Sequence, residues 1–313
     1  MTDATAKRTR DLGILALIFL GPIWGYGWVA TKVALDYSDA LTFAALRVPL
    51  SAALLFIVMI VLRKPLRPPP IGWTALIGLL QTTLFVGLVI TALHDAGAGK
   101  VSVLTYTMPF WLLLLAWIFL GERLRGVQWL AVALAFAGLV LVVRPWAFEG
   151  AVSGVLTVLG GLSWAASALV VKLMQRKHTV DVLSLTTWQM VFGSVPLIIA
   201  AVVTYNGGPQ WTANFWMGLI YTVILANAVA WFLWLYALHA LPAGAAGLGT
   251  LSIPVVGVVA AWLQLGEVPT LVEGIGMLLI ITALGVLAAH GLLSGRRGTG
   301  TPGDEPELRP VTD

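Results

Sequence analysis

The residues of this sequence that could bind a solute lie inside long apolar segments. Thr105 precedes Pro109 by four residues, and Thr250 stands in the same relation to Pro254. A proline inside a helix removes one backbone N–H and displaces the carbonyl four residues earlier. Each pair therefore predicts an interrupted helix in which a hydroxyl adjoins a free backbone acceptor, and both groups could bind a solute. The alternative is that each proline only bends its helix while the threonine satisfies the backbone.

Amide and aromatic side chains add to this candidate solute site. Gln81, Thr82 and Asn227 lie at a similar depth in other apolar segments. An amide surrounded by lipid is costly unless it finds partners, so Asn227 is predicted either to face a cavity or to bond a neighbouring helix. The candidate aromatic walls, for which simple packing is the alternative role, are Trp24, Tyr106, Trp164 and Trp231.

Catalysis and metal binding are not expected from the residues present. The sequence has no cysteine, and its 4 histidines lack ligand spacing. The patterns HExxH and GxSxG are absent, so we predict that the protein is not an enzyme and holds no metal or cofactor. No Asp or Glu lies in the central third of a predicted helix. Because ion-coupled carriers usually keep an ionisable group near mid-membrane, we expect weak coupling or facilitated exchange.

The elements that carry these residues are predicted to be transmembrane helices. Hydrophobic residues make up 59% of the 313 and charged residues 10%, against about 25% charged in an ordinary soluble domain. Residues 182–266 contain no Lys, Arg, Asp or Glu. We predict ten spans near 12–34, 41–62, 71–93, 98–120, 126–144, 151–172, 182–204, 215–238, 243–265 and 274–292. Residues 1–11 form a predicted N-terminal segment, and the Gly-, Pro- and charge-rich residues 294–313 a predicted disordered tail.

Lys and Arg are distributed asymmetrically between the predicted loops. Most of the 18 fall in segments that share one side, and the exceptions are Lys32, Arg47, Lys100 and Arg144. Because positively charged loops stay inside, both termini are predicted to be cytoplasmic, in a multi-pass protein of the bacterial inner (plasma) membrane. Topology also explains the net charge of +4. The expected partners are the lipid bilayer and a small molecule, with no nucleic acid, and the expected state is a monomer.

The two halves of the chain are related by an internal repeat. A shift of 145 residues pairs Thr82 with Asn227, His94 with His239, Pro109 with Pro254, Trp117 with Trp262 and Glu122 with Glu267. A shift of 140 pairs Gly21, Trp24 and Lys32 with Gly161, Trp164 and Lys172. Residues 12–145 and 150–292 are therefore predicted to be five-helix repeats. Because five is odd, the second repeat must be inverted in the membrane, an arrangement typical of alternating-access carriers.

An ordered set of motifs resembles the EamA family of the drug/metabolite transporter superfamily. It comprises the WG at Trp24 followed by Lys32, Arg47 early in the second span, the mid-helix prolines, and the closing LGERL and LGEVP. The resemblance covers residues 12–292 and implies ten transmembrane helices and the export of amino acids, other metabolites or drugs. Aromatic amino-acid exporters are the members with which we compare it first. In LGEVP, Val268 and Pro269 replace a basic residue, which suits the predicted outside position.

The predicted site favours a neutral or zwitterionic amphipathic metabolite. Amides, hydroxyls, freed carbonyls and aromatic rings suit an amino acid, including aromatic and hydrophobic ones, and export is the expected direction. Lys32 and Arg47 are predicted to form an outer gate with the loop containing Asp36 and Asp39, although Lys32 could instead snorkel to the interface. The alternatives are an exporter of cationic drugs or other metabolites, a channel, and a membrane-embedded enzyme.

Overall fold

The regular structure in this protein is helical. The computed structural model describes residues 3–121, 126–144, 151–205, 207–230, 233, 237 and 252–297, and no strand occurs among them. The helices with defined bounds are α1 (Asp3–Leu35), α2 (Ala40–Val61), α3 (Ile71–Ile77), α4 (Phe85–Asp95), α5 (Ala98–Thr105), α6 (Met108–Leu120), α7 (Gly126–Val143), α8 (Ala151–Gln175), α9 (Val182–Val203), α10 (Ala213–Ile220), α11 (Ser252–Leu265) and α12 (Leu271–Arg297). Two π-helical segments, Gly78–Leu84 and Tyr221–Val229, complete the set.

Ten apolar stretches of the described residues correspond to the predicted transmembrane helices. Seven are long enough to cross a membrane, namely 11–35, 40–61, 71–95, 98–119, 126–143, 151–175 and 182–203. Three are shorter, namely 213–229, 252–265 and 271–286. We number them spans 1–10, so that span 3 combines α3, the first π segment and α4, span 4 combines α5 and α6, and span 8 combines α10 and the second π segment. The prediction of an all-α integral membrane protein is confirmed.

Both terminal helices extend beyond their apolar stretches. The first helix begins at Asp3, inside the predicted N-terminal segment, and the last continues to Arg297. Residues 294–297 are therefore helical where the sequence predicted disorder. The helix continues through Ser294 and Gly295 to the two basic residues that follow the apolar stretch. Residues 298–313 lie outside the described part of the chain.

Helix packing follows the internal repeat. Span 1 packs against spans 8 and 9, and span 6 packs against spans 3 and 4. Span 2 contacts spans 7 and 8, while span 7 contacts spans 2 and 3. Spans 5 and 10 pack against each other, as do spans 4 and 9. If each span is replaced by its repeat equivalent, which is five spans away, every one of these contacts becomes another contact of the same set. A two-fold relation between the repeats has this property.

Spans 2 and 7 also begin with the same capping device. The Asp39 carboxylate accepts a hydrogen bond from the Thr42 backbone N–H at 2.9 Å, and the Asp181 carboxylate accepts one from Ser184 at 3.0 Å. Such a cap satisfies a backbone donor that the first helical turn leaves without a partner. The two caps are 142 residues apart, which gives a third register for the repeat and makes Arg47 equivalent to Gln189.

One end of the bundle is closed by packed apolar side chains. The largest buried cluster joins the ends of spans 1, 2, 3, 4, 7, 8 and 9 on the predicted outer side, and its fully buried side chains include Val29, Phe43, Leu93 and Phe215. On the other side, separate clusters join span 1 to span 8 and spans 3, 6 and 7 to one another. The predicted outer end is therefore the more continuously packed one among the described residues.

Candidate functional site

A cavity of about 120 Å³ lies between spans 2, 3, 6, 7 and 8. Its polar wall consists of Arg47, Ser51, Gln81, Thr82, Gln189 and Asn227. Phe85, Trp164 and Met190 form an apolar side. Amide, hydroxyl and guanidinium groups thus face one small volume beside an indole ring, and no carboxylate is among the described residues that line it.

The two π segments hold three of these polar side chains. Gln81 and Thr82 lie in the first segment and Asn227 lies in the second. A π-helix bonds residue i to residue i+5, and such insertions occur frequently at functional sites. Thr82 and Asn227 are 145 residues apart, so the same irregularity occurs at the same place in both repeats.

Neighbouring spans donate hydrogen bonds to carbonyls of both π segments. The Ser163 hydroxyl of span 6 donates to the Leu80 carbonyl at 2.7 Å, and the Trp24 indole N–H of span 1 donates to the Ala226 carbonyl at 2.7 Å. One bond joins span 6 to span 3 and the other joins span 1 to span 8, and the repeat relates these two pairs of spans to each other. Trp24, predicted to bind substrate, therefore braces the second π segment and is not among the residues lining the cavity. Its repeat equivalent Trp164 does line it.

Spans 3 and 7 approach each other through their backbones beside the cavity. A Cβ atom on Gly78 would lie 2.6 Å from the Gln189 carbonyl oxygen and 3.0 Å from the Gly193 nitrogen. The Thr83 hydroxyl donates to the Gly193 carbonyl at 2.7 Å. Glycine at both positions allows this contact, which brings the Gln189 side chain to the same cavity as Thr82.

Arg47 and Gln189 are repeat equivalents with unsatisfied polar groups. Arg47 is half-buried, and its guanidinium has no hydrogen-bond or ion-pair partner among the described residues. Gln189 is only 4% exposed, and its amide oxygen has no partner in the same part of the chain. The main chain at Arg47 is fixed, because Asn227 donates to the Ser51 hydroxyl at 2.5 Å and Ser51 donates to the Arg47 carbonyl at 2.7 Å.

The outer gate predicted from Lys32 and Arg47 does not form between these two residues. The Lys32 ammonium donates to the Leu93 carbonyl at 2.8 Å and to the His94 carbonyl at 2.6 Å. It thereby fixes span 1 to the carboxyl end of span 3, where exposed carbonyls favour a cation. Arg47 instead lines the cavity. Because Arg47 is near a helix end, the sequence suggested a position at the outer mouth. Its side chain instead points to the interior of the bundle.

Thr105 and Tyr106, both predicted to bind substrate, lie at the interruption of span 4 and do not line the cavity. The helix stops at Thr105 and resumes at Met108, so Pro109 stands in the first turn of the second half. The Thr105 hydroxyl donates to the Val101 carbonyl at 2.8 Å, which is the alternative role considered for it. Tyr106 packs against the buried cluster of spans 4, 5 and 10. Neither residue is among those lining the cavity.

The second predicted helix interruption lies where the chain is only partly described. Pro254 is buried near the beginning of α11. Thr250 and Trp231, both predicted to bind substrate, lie outside the described residues.

Sequence reasoning missed Gln189 and Ser51. Neither belongs to the aligned segments at shifts of 145 and 140, and serine and glutamine are common partners between transmembrane helices. The signal that could have found Gln189 is the pair of aspartates, Asp39 and Asp181, that precede spans 2 and 7. Their spacing of 142 residues assigns Gln189 to the position of Arg47.

Metal binding finds no support in the part of the chain that is described, where no three His, Asp or Glu residues form a cluster. The lining groups are suited to hydrogen bonding with a small organic solute. An inverted helical repeat around a polar cavity defines a membrane transporter.

Comparison with known proteins establishes the family. The chain belongs to the EamA-like transporter family, whose model matches residues 11–144 and 152–289, and the predicted membership is confirmed. The chain is 32% identical to the uncharacterised transporter YvbV of Bacillus subtilis, over 86% of this chain and 89% of the relative. A probable amino-acid metabolite efflux pump of Escherichia coli is 27% identical over 88% and 94%, and a riboflavin transporter of Rhizobium johnstonii is 29% identical over 67% and 68%.

A solved crystal structure shares the fold. It superimposes with a TM-score of 0.63 at 16% identity and covers 91% of this chain and 99% of that chain. The similarity therefore extends through both repeats.

Proposed function

We propose that this transporter exports small zwitterionic or neutral amphipathic metabolites, amino acids above all, by alternating access in the bacterial inner membrane. The observation that carries the proposal is the cavity between the repeats, which combines unsatisfied polar groups with an aromatic side. A zwitterion needs an anion-binding group, hydrogen-bond acceptors and a place for its apolar side chain. Arg47, Gln189 and Trp164 supply these in turn. The relative from Escherichia coli that is named an amino-acid metabolite efflux pump supports the same class.

Cationic drugs suit this cavity less well. Arg47 brings a positive charge to it, and none of its described lining residues is a carboxylate. At the low dielectric of a membrane protein interior, an unscreened like charge is strongly unfavourable. A drug cation would therefore need an acidic partner that the lining does not provide.

Cavity size is consistent with a small metabolite. A cavity of about 150 Å³ is large enough to bind benzene, and this one measures about 120 Å³. Its volume in the conformation described matches a small amino acid such as alanine or threonine. Because the cavity is not enclosed, leucine, phenylalanine and other larger solutes can extend beyond it or bind when the lining spans move apart.

The two ends of the bundle support an alternating mechanism. The packed cluster around Phe43 and Phe215 closes the predicted outer end. At the predicted cytoplasmic end, the Lys64 ammonium and the Asp181 carboxylate form an ion pair of 2.7 Å. Both residues are partly exposed, so this contact is weak and salt-sensitive. Among the described residues, this weak contact joins spans 2 and 7 at the end that a solute leaving the cell would enter.

Counterflow tests the proposal. Proteoliposomes preloaded with unlabelled alanine, threonine, methionine or phenylalanine are expected to accumulate the same labelled amino acid transiently and saturably. Asn227→Ala and Trp164→Ala are expected to reduce this exchange, because both side chains line the cavity. Trp262→Ala, in span 9 with 55% of the side chain exposed, is the matched control and should exchange normally. Absence of exchange for every amino acid would refute the proposal, and non-saturable flux would indicate a channel.

A further inference from the structure

A guanidinium group that has no partner among the described residues lies well below the end of span 2. Arg47 is seven residues into a helix that begins at Ala40, which places its backbone about 10 Å from that end at 1.5 Å per residue. A charge removed from water is costly unless it is paired and hydrogen-bonded. Among the described residues the half-buried Arg47 has no such partner, so its guanidinium is available to bind an anion.

We propose that Arg47 binds the carboxylate of the transported solute, and that Gln189 accepts a hydrogen bond from the same solute's ammonium or hydroxyl group. The substrates are then carboxylic acids bearing a nearby donor, with α-amino acids as the principal class. This inference rests on the proposed function and adds to it the groups that select the substrate. The planar fork of arginine matches the two oxygens of a carboxylate, which lysine does not.

The surroundings hold Arg47 in a position suited to this role. The hydrogen bonds from Asn227 to Ser51 and from Ser51 to the Arg47 carbonyl tie span 8 to span 2 at this residue. The main chain is therefore fixed by neutral groups, while the guanidinium has no partner in the described part of the chain. Snorkelling to the outer interface is the other use of such a side chain, but Arg47 is part of the cavity wall.

Inversion of the repeats gives the bound solute a direction. Arg47 lies seven residues from the predicted outer end of span 2, and Gln189 lies seven residues from the opposite end of span 7, which begins at Val182. The cation and the amide acceptor are therefore displaced towards opposite faces of the membrane. A zwitterion would bind with its carboxylate towards the outer face and its ammonium towards the cytoplasmic face.

A series of chemically matched competitors tests the assignment on the wild-type protein. Labelled L-leucine counterflow is competed with leucine, leucinamide, 3-methylbutylamine and N-acetylleucine. Leucinamide and 3-methylbutylamine, which lack the carboxylate, are expected to compete roughly 10–100-fold more weakly than leucine, in line with the loss of a charge-assisted hydrogen bond. N-acetylleucine, which lacks the ammonium, is expected to compete more weakly as well.

Variants then assign the two roles to their residues. In Arg47→Gln the advantage of leucine over leucinamide should disappear, whereas Arg47→Lys should keep part of it. Gln189→Met should reduce the advantage over N-acetylleucine alone. Arg67→Gln, an exposed loop arginine, is the control and should leave all ratios unchanged. Thermal unfolding of each purified variant, with and without leucine, shows whether it folds and binds even if it does not exchange.

The outcomes separate the inference from the proposed function. If the wild-type protein exchanges amino acids but the amide and the amine compete as well as leucine, the carboxylate assignment is wrong and the proposed function stands. If a folded Arg47→Gln protein keeps the full preference for leucine, Arg47 is not the anchor. If no amino acid exchanges or stabilises the wild-type protein, the proposed function itself fails.

Discussion

Replacement of Gly193 by alanine tests whether the two repeats meet through backbone contact beside the cavity. A Cβ atom at this position would lie 2.4 Å from the Gly78 carbonyl oxygen and 2.4 Å from the Thr82 Cβ atom. Neither obstacle is the mobile end of a flexible side chain. The Gly78 oxygen is part of the backbone, and the Thr82 Cβ is fixed to its own main chain, so rotation about χ1 cannot move it. Spans 3 and 7 would have to separate.

The expected cost follows from this overlap. Inserting a methyl group into a packed interior that cannot repack costs about 1–3 kcal/mol. Chains of 150–250 residues lose roughly 2–4 °C in melting temperature per kcal/mol, so Gly193→Ala is expected to melt several degrees below the wild-type protein. Counterflow should fall as well, because separating the spans moves Thr82 and Gln189 apart on the cavity wall.

Thermal unfolding in detergent, followed by tryptophan fluorescence, is the assay. Gly72→Ala and Gly274→Ala are the matched controls, since a Cβ atom at either helical position meets nothing within 4 Å. Alanine is favoured over glycine in helices by roughly 0.5–1 kcal/mol, so both controls should be as stable as the wild-type protein or slightly more stable. A Gly193→Ala protein that melts with the controls would refute the backbone contact.

Other contacts give predictions that the same unfolding assay measures. Asp181→Ala removes the N-cap of span 7 and the ion pair with Lys64, and should cost about 0.5–2 kcal/mol, whereas Asp181→Asn keeps a cap acceptor and should lose only about 0.2–1 kcal/mol. Partial burial tends to raise the pKa of the Asp181 carboxyl, but hydrogen bonds from Lys64 and from backbone amides outweigh it and hold the pKa below its usual value. The ionised group therefore contributes fully above about pH 4 and loses its contribution as the pH falls through the lower folded-state pKa; an Asp181→Asn difference that persists unchanged at pH 2 would contradict this. Both Glu267 carboxylate oxygens accept hydrogen bonds from backbone N–H groups at the start of span 4. Glu267→Gln removes the charge and replaces one acceptor oxygen with an NH2 donor, so a loss of about 1–3 kcal/mol is expected; an unchanged melting temperature would show that these bonds do not stabilise the fold. Trp24→Phe removes the donor to the Ala226 carbonyl, at a cost of about 0.5–1.5 kcal/mol, and an unchanged melting temperature would show that another donor satisfies that carbonyl.

The fold could be predicted largely because hydropathy and duplication act over long segments. A charge-free run such as residues 182–266 has few possible structures in a bilayer. Residues such as Trp117 and Trp262 recur at a constant spacing, which reveals the repeat without any knowledge of contacts. An odd number of helices in each repeat then determines the inversion.

The π segments could not be predicted, because they depend on hydrogen-bond register and not on residue type. Neither Gly78–Leu84 nor Tyr221–Val229 contains a proline. The polarity of Gln81, Thr82 and Asn227 is enough to predict a solute site, but nothing in the sequence indicates the change of hydrogen-bond register that exposes them to the cavity. Proline can be recognised directly in the sequence, and it predicts the break in span 4. The Thr105 hydroxyl beside that break nevertheless donates to the Val101 carbonyl of its own helix and does not line the cavity.

The position of Arg47 shows a different limit of sequence reasoning. Distance from a helix end measures depth, but the direction of the side chain around the helix axis decides whether it faces lipid, a neighbour or a cavity. An amphipathic pattern would ordinarily give that direction. In span 2 almost every side chain is apolar, so lipid-facing and protein-facing sides look alike in the sequence.

The two repeats have equivalent residues in the helix caps but different residues at equivalent positions of the cavity wall. The caps at Asp39 and Asp181 are the same, whereas the cavity pairs Arg47 with Gln189 and Thr82 with Asn227. An alternating mechanism needs similar packing in both halves, because each half must adopt the arrangement of the other. A solute with different chemical groups at its two ends has no two-fold axis, so identical binding groups in both repeats would leave one end of it unmatched. Divergence at these equivalent positions is therefore what a carrier of asymmetric solutes requires. On this reasoning Gln189→Arg, which would restore symmetry, should weaken counterflow of zwitterions, because it places a second cation where the ammonium group of the solute needs an acceptor.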